Sequence, residues 1–431
     1  MQAPLTEESS KVETVYRYVV VGAGPAGVTA VENLRRHDPE GTILLIGGEQ
    51  EPPYSRMAIP YMLVGKVGEE GTYLRQQENH FPNLDVKYQH AMVLHIDAAT
   101  KRIKLNDGSS IQYEKLCLAT GARPIKPPIP GLDQKGVRHC WTLDDARKII
   151  ELAHEGADVV LMGAGFIGCI ILEALALRGV NLTVVEMGDR MVPRMLDPVA
   201  GTMLKRWCEE KGVTVHTSTR ITQLESNPGE TEDTLLVDLD NGEKIPAHLV
   251  VVAAGVKSNL DYLEGSGLAT DQGILVNEYL QTSDEHIFAI GDVAQGPDFE
   301  HGDRVVHAIQ PTATDHGRIA ALNMVGKRTR YQGSMQMNVL DTLGLISVSF
   351  GEWDGRDKCD QAIMCNETGF QYMRLEFADD RLVGAQCVGR TAHIGVIRGL
   401  IEGRVPLGAW KEKLKMNPYL IMDAYLSCAQ S

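Results

Sequence analysis

Two copies of one glycine-rich pattern constrain the fold of this chain more than any other feature. In each copy an apolar, strand-like run leads directly into GxGxxG, and a helical pattern begins inside the motif. The first glycine permits a tight turn, the second lets a pyrophosphate approach the backbone, and the third lets helix and strand pack closely. Two complete copies predict two Rossmann-like dinucleotide-binding domains. The glycines are Gly22, Gly24 and Gly27 in the first copy and Gly163, Gly165 and Gly168 in the second.

An acidic residue follows the second strand of each copy, where a ribose-binding carboxylate is expected. In the first copy "TILLIG" leads to Glu49, although Glu51 fits the position as well. In the second copy "NLTVVEMGDR" places Glu186 at the end of the strand. A carboxylate there accepts hydrogen bonds from both ribose hydroxyls and repels a 2′-phosphate, so the second site is predicted to prefer NADH to NADPH.

Three further apolar segments indicate how the two folds are joined. The chain leaves the first fold after the strand "LCLATGARP" (116–124) and returns to it after the strand "LVVVAAGVKSN" (249–259). A third strand, "EHIFAIGDVAQ" (285–295), then completes the first fold. The second fold is therefore expected to be inserted into the first. The turn residues are Thr120 and Gly121 in the first segment, Gly255 in the second, and Gly291 and Asp292 in the third.

With these segments in place, the sequence resembles the pyridine nucleotide–disulfide oxidoreductase superfamily over almost its whole length. The resemblance implies that the first glycine motif binds FAD and that the inserted one binds NAD(P)H. It also implies that Thr120 and Gly121 close the first fold, and that Asp292 contacts the ribitol or a phosphate of FAD. Arg56, in the segment "PPYSR", matches an FAD-contacting arginine of the rubredoxin-reductase-like branch.

The expected fold class is α/β, with two Rossmann-like domains and a third, α+β domain. Residues 1–125 and 258–327 are expected to form the FAD domain, and residues 126–257 the NAD(H) domain. Residues 328–431 change to short strand-like runs and, from about His393, a helical tail, which resembles the family's C-terminal interface domain. In the disulfide reductases that domain forms the dimer and supplies a His–Glu pair to the partner's active site. No such pair is found here, so a homodimer is possible but not required for catalysis.

The segment that follows the third strand predicts a helix beginning near Pro311 and Thr312, because proline suits the first helical turn. In the family, such a helix points its N-terminus at the flavin, where the helix dipole stabilises negative charge. His307 and His316 lie in this segment. We interpret both as ordinary residues flanking the helix, outside the site.

The segment "PPYSRMAIPYMLVG" (52–65) lacks the reactive groups of related flavoproteins. Compared with the coenzyme A disulfide reductases, Met57 stands where those proteins have a redox cysteine, and a thioether forms neither a thiolate nor a mixed disulfide. Compared with the rubredoxin reductases, Tyr61 replaces a lysine near the flavin and Ile170 replaces its glutamate partner. Losing both is coherent, since either charge alone would be costly. The alternative is that both are core residues in a locally shifted alignment.

Phe166 matches the aromatic residue that covers the flavin in these proteins, and its other interpretation is helix–sheet packing. Phe166, Tyr61 and Met57 are therefore the residues expected beside the flavin. The site as a whole holds a flavin, a nicotinamide and no redox cysteine. The expected function is an NADH-dependent FAD reductase that passes electrons to another protein, such as a rubredoxin- or ferredoxin-like carrier or a partner subunit of a redox complex.

Two alternatives to this function stay open. One is an NADH oxidase, or a reductase of a quinone or another small molecule. The other is an NAD(H)-responsive binding flavoprotein with slow turnover. Fast reduction by NADH separates the enzymes from the binding protein, and rapid turnover with oxygen as sole acceptor identifies an oxidase.

Composition excludes several other classes of protein. The net charge of −15 argues against nucleic acid or an anionic membrane as the main partner. None of the eight cysteines forms a CxxC pair, the nearest two being Cys359 and Cys365, so no metal site is expected. The N-terminus has no signal-peptide pattern, and no apolar run reaches the ~18 residues of a membrane span. The chain is expected to be cytoplasmic, without membrane insertion.

Overall fold

The structure is a computed structural model. The N-terminal residues 1–14, in which no signal-peptide pattern is found, and Cys359 lie outside the described residues. Within the described ranges, no helix is long and apolar enough to cross a membrane. The described residues are 15–227, 234–300, 302–355 and 360–429.

Strands and helices are numbered separately, in chain order, over the described residues. The strands are β1 (Val15–Val21), β2 (Ile43–Gly47), β3 (Val86–His90), β4 (Val93–Asp97), β5 (Arg102–Leu105), β6 (Ser110–Leu118), β7 (Ala122–Pro124), β8 (Val137–His139), β9 (Asp158–Met162), β10 (Asn181–Val185), β11 (Thr214–His216), β12 (Ile221–Ser226), β13 (Leu235–Leu239), β14 (Lys244–Ala247), β15 (Leu249–Val252), β16 (Val256–Ser258), β17 (Ile274–Leu275), β18 (Ile287–Ala289), β19 (Ala294–Pro297), β20 (Arg304–Val305), β21 (Met337–Thr342), β22 (Leu345–Gly351), β23 (Asp360–Asn366), β24 (Gln371–Ala378) and β25 (Arg381–Val388). The α-helices are α1 (Pro25–His37), α2 (Ile59–Leu63), α3 (His80–Asn83), α4 (Leu143–Leu152), α5 (Phe166–Ala176), α6 (Pro198–Glu210), α7 (Gln310–Met324), α8 (Ile394–Glu402), α9 (Trp410–Met416) and α10 (Ile421–Cys428).

The first sheet is built around β1, whose apolar second half is buried on both faces. Strand β1 pairs in parallel with β2 and β6, β3 continues the sheet beyond β2, and β18 pairs in parallel with the end of β6. Strands β4 and β5 extend the other edge in antiparallel fashion. Helices α1 and α7 pack closely. A Cβ atom added to Gly317 of α7 would lie only 2.5 Å from the Ala26 carbonyl oxygen of α1. This is the parallel sheet that the first glycine motif predicts.

The second sheet is wholly parallel, in the order β11-β10-β9-β15-β8, with β9 leading directly to α5. A small antiparallel sheet, β12-β13-β14, lies beside it. The chain enters this fold after β7 and leaves it at β16, and these two short strands pair with one another. The α/β fold class and the insertion of the second fold into the first are confirmed.

The third region is an antiparallel sheet, β21-β22-β25-β24-β23, with helices α8 to α10. Val348 and Leu375 of the sheet share a buried apolar cluster with Ile397 and Leu400 of α8. The helix expected near Pro311 is α7, which begins at Gln310, and the helical tail begins at Ile394, next to the expected start. The domain limits themselves stay a prediction.

Candidate cofactor-binding site

A cavity of about 730 Å³ lies between the first glycine turn and the start of α5. Its walls come from both dinucleotide folds. Residues of the first glycine turn, of the segment after β2 and of the turn after β18 contribute to the lining. The lining residues that the sequence analysis singled out are Gly22, Gly24, Glu49, Glu51, Arg56, Met57, Thr120, Gly121, Phe166, Ile170, Gly291 and Asp292.

The first glycine turn has the geometry that a bound pyrophosphate requires. Gly22 has a φ of +111°, and a Cβ atom there would lie 2.1 Å from the Ala119 carbonyl oxygen. A Cβ atom on Gly27 would lie 1.9 Å from the Gly22 carbonyl oxygen, so both positions exclude a side chain. Gly24, by contrast, meets nothing within 4 Å and faces the cavity. The open space at the N-terminus of α1 fits a phosphate group, which the helix dipole attracts.

The second glycine turn repeats this geometry at the start of α5. A Cβ atom on Gly163, at φ +99°, would lie 2.6 Å from the Ala253 carbonyl oxygen, and one on Gly168 would lie 2.2 Å from the Gly163 carbonyl oxygen. Gly165 again meets nothing within 4 Å. None of these three glycines lines the 730 Å³ cavity, but the next residue, Phe166, does. The second turn thus fits a second dinucleotide that reaches the cavity along α5.

Glu186 lies beneath this second turn and is only 7% exposed. One carboxylate oxygen accepts the Ala164 N–H at 2.6 Å, and the other accepts the Gly188 N–H at 2.7 Å. The carboxylate therefore fixes the backbone of the glycine turn. Each oxygen can accept a further hydrogen bond, which leaves capacity for ribose hydroxyls.

Glu49 and Arg56, both expected to contact FAD, are paired with one another in the structure. Arg56 Nη2 lies 2.5 Å from a Glu49 oxygen, and the Tyr54 hydroxyl donates to the other oxygen at 2.5 Å. Arg56 also donates to the Trp141 carbonyl oxygen at 2.5 Å and lies over the Trp141 ring at 5.1 Å. The other acidic candidate, Glu51, pairs with Arg147 of α4 at 2.9 Å.

Asp292 follows the turn at Gly291, which has a φ of +68°. Burial raises the pKa of the Asp292 carboxyl, and the positive charge of Arg56 opposes that rise. The first turn of α7 lies next to this turn, since a Cβ atom on Gly291 would lie 3.6 Å from the Ala313 Cβ, and Gln310 and Ala313 also line the cavity. A half-buried carboxylate, a nearby guanidinium and a helix N-terminus together give this end of the cavity fixed charges that a polar cofactor could use.

Met57 lines the cavity and is also 49% exposed, so it stands at an opening to solvent. Tyr61 does not belong to the lining. Its side chain is 55% exposed, and Lys66 lies over its ring at 6.0 Å. Helix α2 turns Tyr61 towards solvent, and its place beside the flavin stays a prediction. Ile170 does line the cavity, on the side formed by α5.

Gly255 lines a separate, much smaller cavity next to the large one, together with Cys140 and Ile167. Its φ of +98° forms the turn between β15 and β16. Cys140 borders both cavities, and burial raises the pKa of its thiol to about 12. That thiol stays protonated at neutral pH, so it is a poor nucleophile. Among the described residues, no group of three or more His, Cys, Asp or Glu side chains could hold a metal ion.

Several lining residues have no signal in the sequence. Trp141 reaches the cavity from the segment between β8 and α4, far from any motif. Tyr88, Met92 and Leu94 also line the cavity, and the pairing of β3 with β2 places Tyr88 beside Leu45. Asn259 also lines the cavity, and the sequence offers a signal for it, because it ends the strand-and-turn segment 249–259.

Comparisons with known proteins agree with this geometry. The profile described as pyridine nucleotide-disulphide oxidoreductase matches residues 16–313. The NADH-dependent phenylglyoxylate dehydrogenase subunit epsilon of Aromatoleum evansii is 34% identical, over 94% of this chain and 96% of its own. The NADH oxidase of Methanocaldococcus jannaschii is 30% identical, over 73% of this chain and 71% of its own.

Among solved structures, a ferredoxin reductase of Rhodopseudomonas palustris has a TM-score of 0.81 and 27% identity, covering 90% of this chain and 95% of its own. The family match spans both glycine turns and the cavity between them. The chain is therefore an oxidoreductase that uses FAD and NAD(H), and it belongs to the pyridine nucleotide-disulphide oxidoreductase family.

Proposed function

We propose that this protein transfers electrons between NADH and a protein redox partner, either a rubredoxin- or ferredoxin-like carrier or a partner subunit of a larger redox complex. The observation that carries the proposal is the shared cavity. Residues of the first glycine turn and residues of the first turn of α5, including Phe166, line the same space. A cofactor held at one turn and a nucleotide held at the other can meet there.

The roles of the site residues belong to this proposal. FAD bound at the first turn would supply the exchange of hydride and electrons. Asp292 and the first turn of α7 would orient its polar end, and Arg56 would add positive charge. Phe166 would cover the cavity on the nicotinamide side, and Glu186 would hold the ribose of NADH.

The partner is inferred from what the cavity lacks. Its sulfur-containing residues are Met57 and Met92, which are thioethers, and Cys140, whose thiol is protonated. Among the described lining residues none can carry electrons in a cysteine-based step. Electrons must then pass directly to another molecule, and Met57 marks an exposed side of the cavity. The relative in the phenylglyoxylate dehydrogenase is named as a subunit, which supports a protein partner.

The test is anaerobic stopped-flow reduction of the FAD-loaded protein, followed at the flavin absorbance. We expect NADH to bleach the flavin rapidly and NADPH to do so slowly. The reduced protein is then mixed with a rubredoxin, with a [4Fe–4S] ferredoxin or with oxygen. Faster reoxidation by one of the iron proteins supports the proposal, and the reverse reaction, from reduced ferredoxin to NAD+, gives the preferred direction.

Other outcomes identify the alternatives. An NADH oxidase, which the archaeal relative favours, would turn over with oxygen at least as fast as with either iron protein. A binding protein would form a stable complex with NADH while its flavin bleaches slowly. A homodimer through residues 328–431 stays a prediction.

Replacing Glu186 with alanine is expected to weaken both NADH binding and the preference for NADH. The ribose hydroxyls lose their acceptor, and the N–H groups of Ala164 and Gly188 lose theirs. We expect the KM for NADH to rise about tenfold or more, since an unpaired buried group costs about 1–3 kcal/mol. The measurement is kcat/KM for NADH and NADPH, with dithionite-reducible flavin as the control for FAD loading. An unchanged NADH-to-NADPH ratio would contradict the role of Glu186.

A further inference from the structure

His316 is a buried residue in the middle of α7 that contacts the backbone beside the cavity. His316 is only 4% exposed, and its Nδ1 accepts a hydrogen bond from the Gly291 N–H at 3.2 Å. Gly291 has a φ of +68° and lines the cavity with Asp292, whereas His316 does not line it. Because Nδ1 is the acceptor, the ring proton lies on Nε2.

The other side of the ring is unusual for a buried histidine. Within the described residues, Nε2 has no hydrogen-bond partner, although buried polar groups are nearly always paired. The ring instead meets Tyr331 edge to face, with centroids 4.6 Å apart and planes at 86°. Burial is the main cause that lowers the pKa of His316 to about 3, and the positive charge that His307 would carry contributes to the same shift. The ring is therefore neutral at any ordinary pH, and Nδ1 is a permanent acceptor.

A partly buried polar cluster of His307, Ser334 and Asp298 lies next to Tyr331. His307 Nδ1 is 2.5 Å from the Ser334 hydroxyl, and His307 Nε2 is 3.7 Å from an Asp298 oxygen. His307 immediately precedes Ala308, which lines the cavity. His316 thus contacts both the turn at Gly291 and the Tyr331 ring beside this cluster. Without the His316 Nδ1, the Gly291 N–H would be buried and unpaired, which costs free energy. The turn is then expected to shift until this N–H finds another acceptor.

We propose that His316 is a positioning residue for FAD: its Nδ1 holds the Gly291 N–H and so fixes the turn that presents Asp292 to the cavity. His316 lies within α7 and does not flank it, and the proposal gives it a role in place of its interpretation as an ordinary residue outside the site. The inference rests on the proposed placement of FAD beside Asp292. It requires an acceptor at the position of Nδ1, and it does not require a charge or a titrating group there.

The test compares His316→Asn, His316→Leu and Ile319→Ala. The asparagine side-chain oxygen can replace Nδ1 as acceptor, whereas leucine fills the space without one. Ile319 is a buried α7 residue outside the cavity lining, so Ile319→Ala controls for general loosening of the helix. Each apoprotein is titrated with FAD, using quenching of flavin fluorescence, and its thermal unfolding is measured separately.

We expect His316→Leu to weaken FAD binding about tenfold or more, and His316→Asn to stay within about threefold of wild type. Ile319→Ala should lower the Tm while keeping the FAD affinity. Equal losses in the leucine and asparagine variants, or wild-type affinity in the leucine variant, would overturn the inference. Wild-type apoprotein that fails to bind FAD would instead refute the proposed function. The affinities should not change between pH 6 and pH 8, since the ring does not titrate there.

Discussion

Replacing Gly24 with valine is expected to give a folded protein that does not retain FAD. Gly24 has an ordinary φ of −77°, so the backbone accepts an L side chain. A Cβ atom there meets no other atom within 4 Å, and the position faces the cavity. The valine methyl groups would then occupy the space in which the pyrophosphate should lie. We expect the FAD affinity to fall on the order of a thousandfold, or about 4 kcal/mol.

The measurement is the flavin content of the purified variant, followed by titration of the apoprotein with FAD. A matched control is Gly395→Val, because Gly395 also meets nothing within 4 Å but lies in α8, far along the chain from both turns. Circular dichroism should show native secondary structure in both variants. A Gly24→Val protein that purifies yellow would show that the pyrophosphate does not pass over this turn.

Gly27→Ala is expected to impair folding first, in contrast to Gly24→Val. The two variants therefore distinguish the packing role of the third glycine from the phosphate-binding role of the second. A Cβ atom on Gly27 would lie 1.9 Å from the Gly22 carbonyl oxygen, so even a methyl group forces α1 away from β1. The Gly27→Ala variant is therefore expected to lose stability of the fold, and its loss of FAD follows from that.

The sequence was sufficient for the architecture because its signals are local. Strand, glycine turn and helix stand next to each other at β1 and α1 and again at β9 and α5, and the residue types alone specify their geometry. The start of α7 was also predictable, because proline in a first helical turn is a local preference. Such features do not depend on what packs against them.

Tyr61 shows how local periodicity predicts the direction in which a helical side chain points. Ile59 and Leu63 of α2 are buried in the apolar cluster shared with α4 and α5. Residues two positions apart on a helix differ by about 200° around its axis, so Tyr61 must face away from that buried side. The spacing Ile59–Leu63 thus predicts that Tyr61 is exposed, as observed. Its place beside the flavin, which was inferred from related proteins, stays a prediction.

The pairing of Arg56 with Glu49 and with the Trp141 carbonyl oxygen could not be predicted. Trp141 lies in the inserted fold, 85 residues from Arg56. The contact exists only because the inserted fold packs back on the segment after β2, where Arg178 of the inserted fold also donates to the Leu63 carbonyl oxygen at 2.6 Å. No pattern within either segment encodes that packing.

Replacing Gly165 with valine is expected to give a protein that keeps FAD but is no longer reduced by NADH. Gly165 has a φ of −73° and meets nothing within 4 Å, as Gly24 does, but it belongs to the second turn. The added methyl groups would block the nucleotide pyrophosphate without touching the residues of the first turn. We expect the apparent Kd for NADH to rise on the order of a hundredfold or more, which corresponds to about 3 kcal/mol.

Anaerobic stopped flow checks this expectation, with dithionite as a reductant that needs no nucleotide site. Gly165→Val should bleach normally with dithionite and slowly with NADH, whereas Gly24→Val should have no flavin to bleach. The two variants carry the same substitution at equivalent points of two similar turns, so a difference between them reports the cofactor that each turn binds. Loss of FAD in both would mean that the turns do not act separately. Wild-type bleaching of Gly165→Val by NADH would mean that hydride reaches the flavin by a route that does not cross the second turn, and the shared cavity would need another explanation.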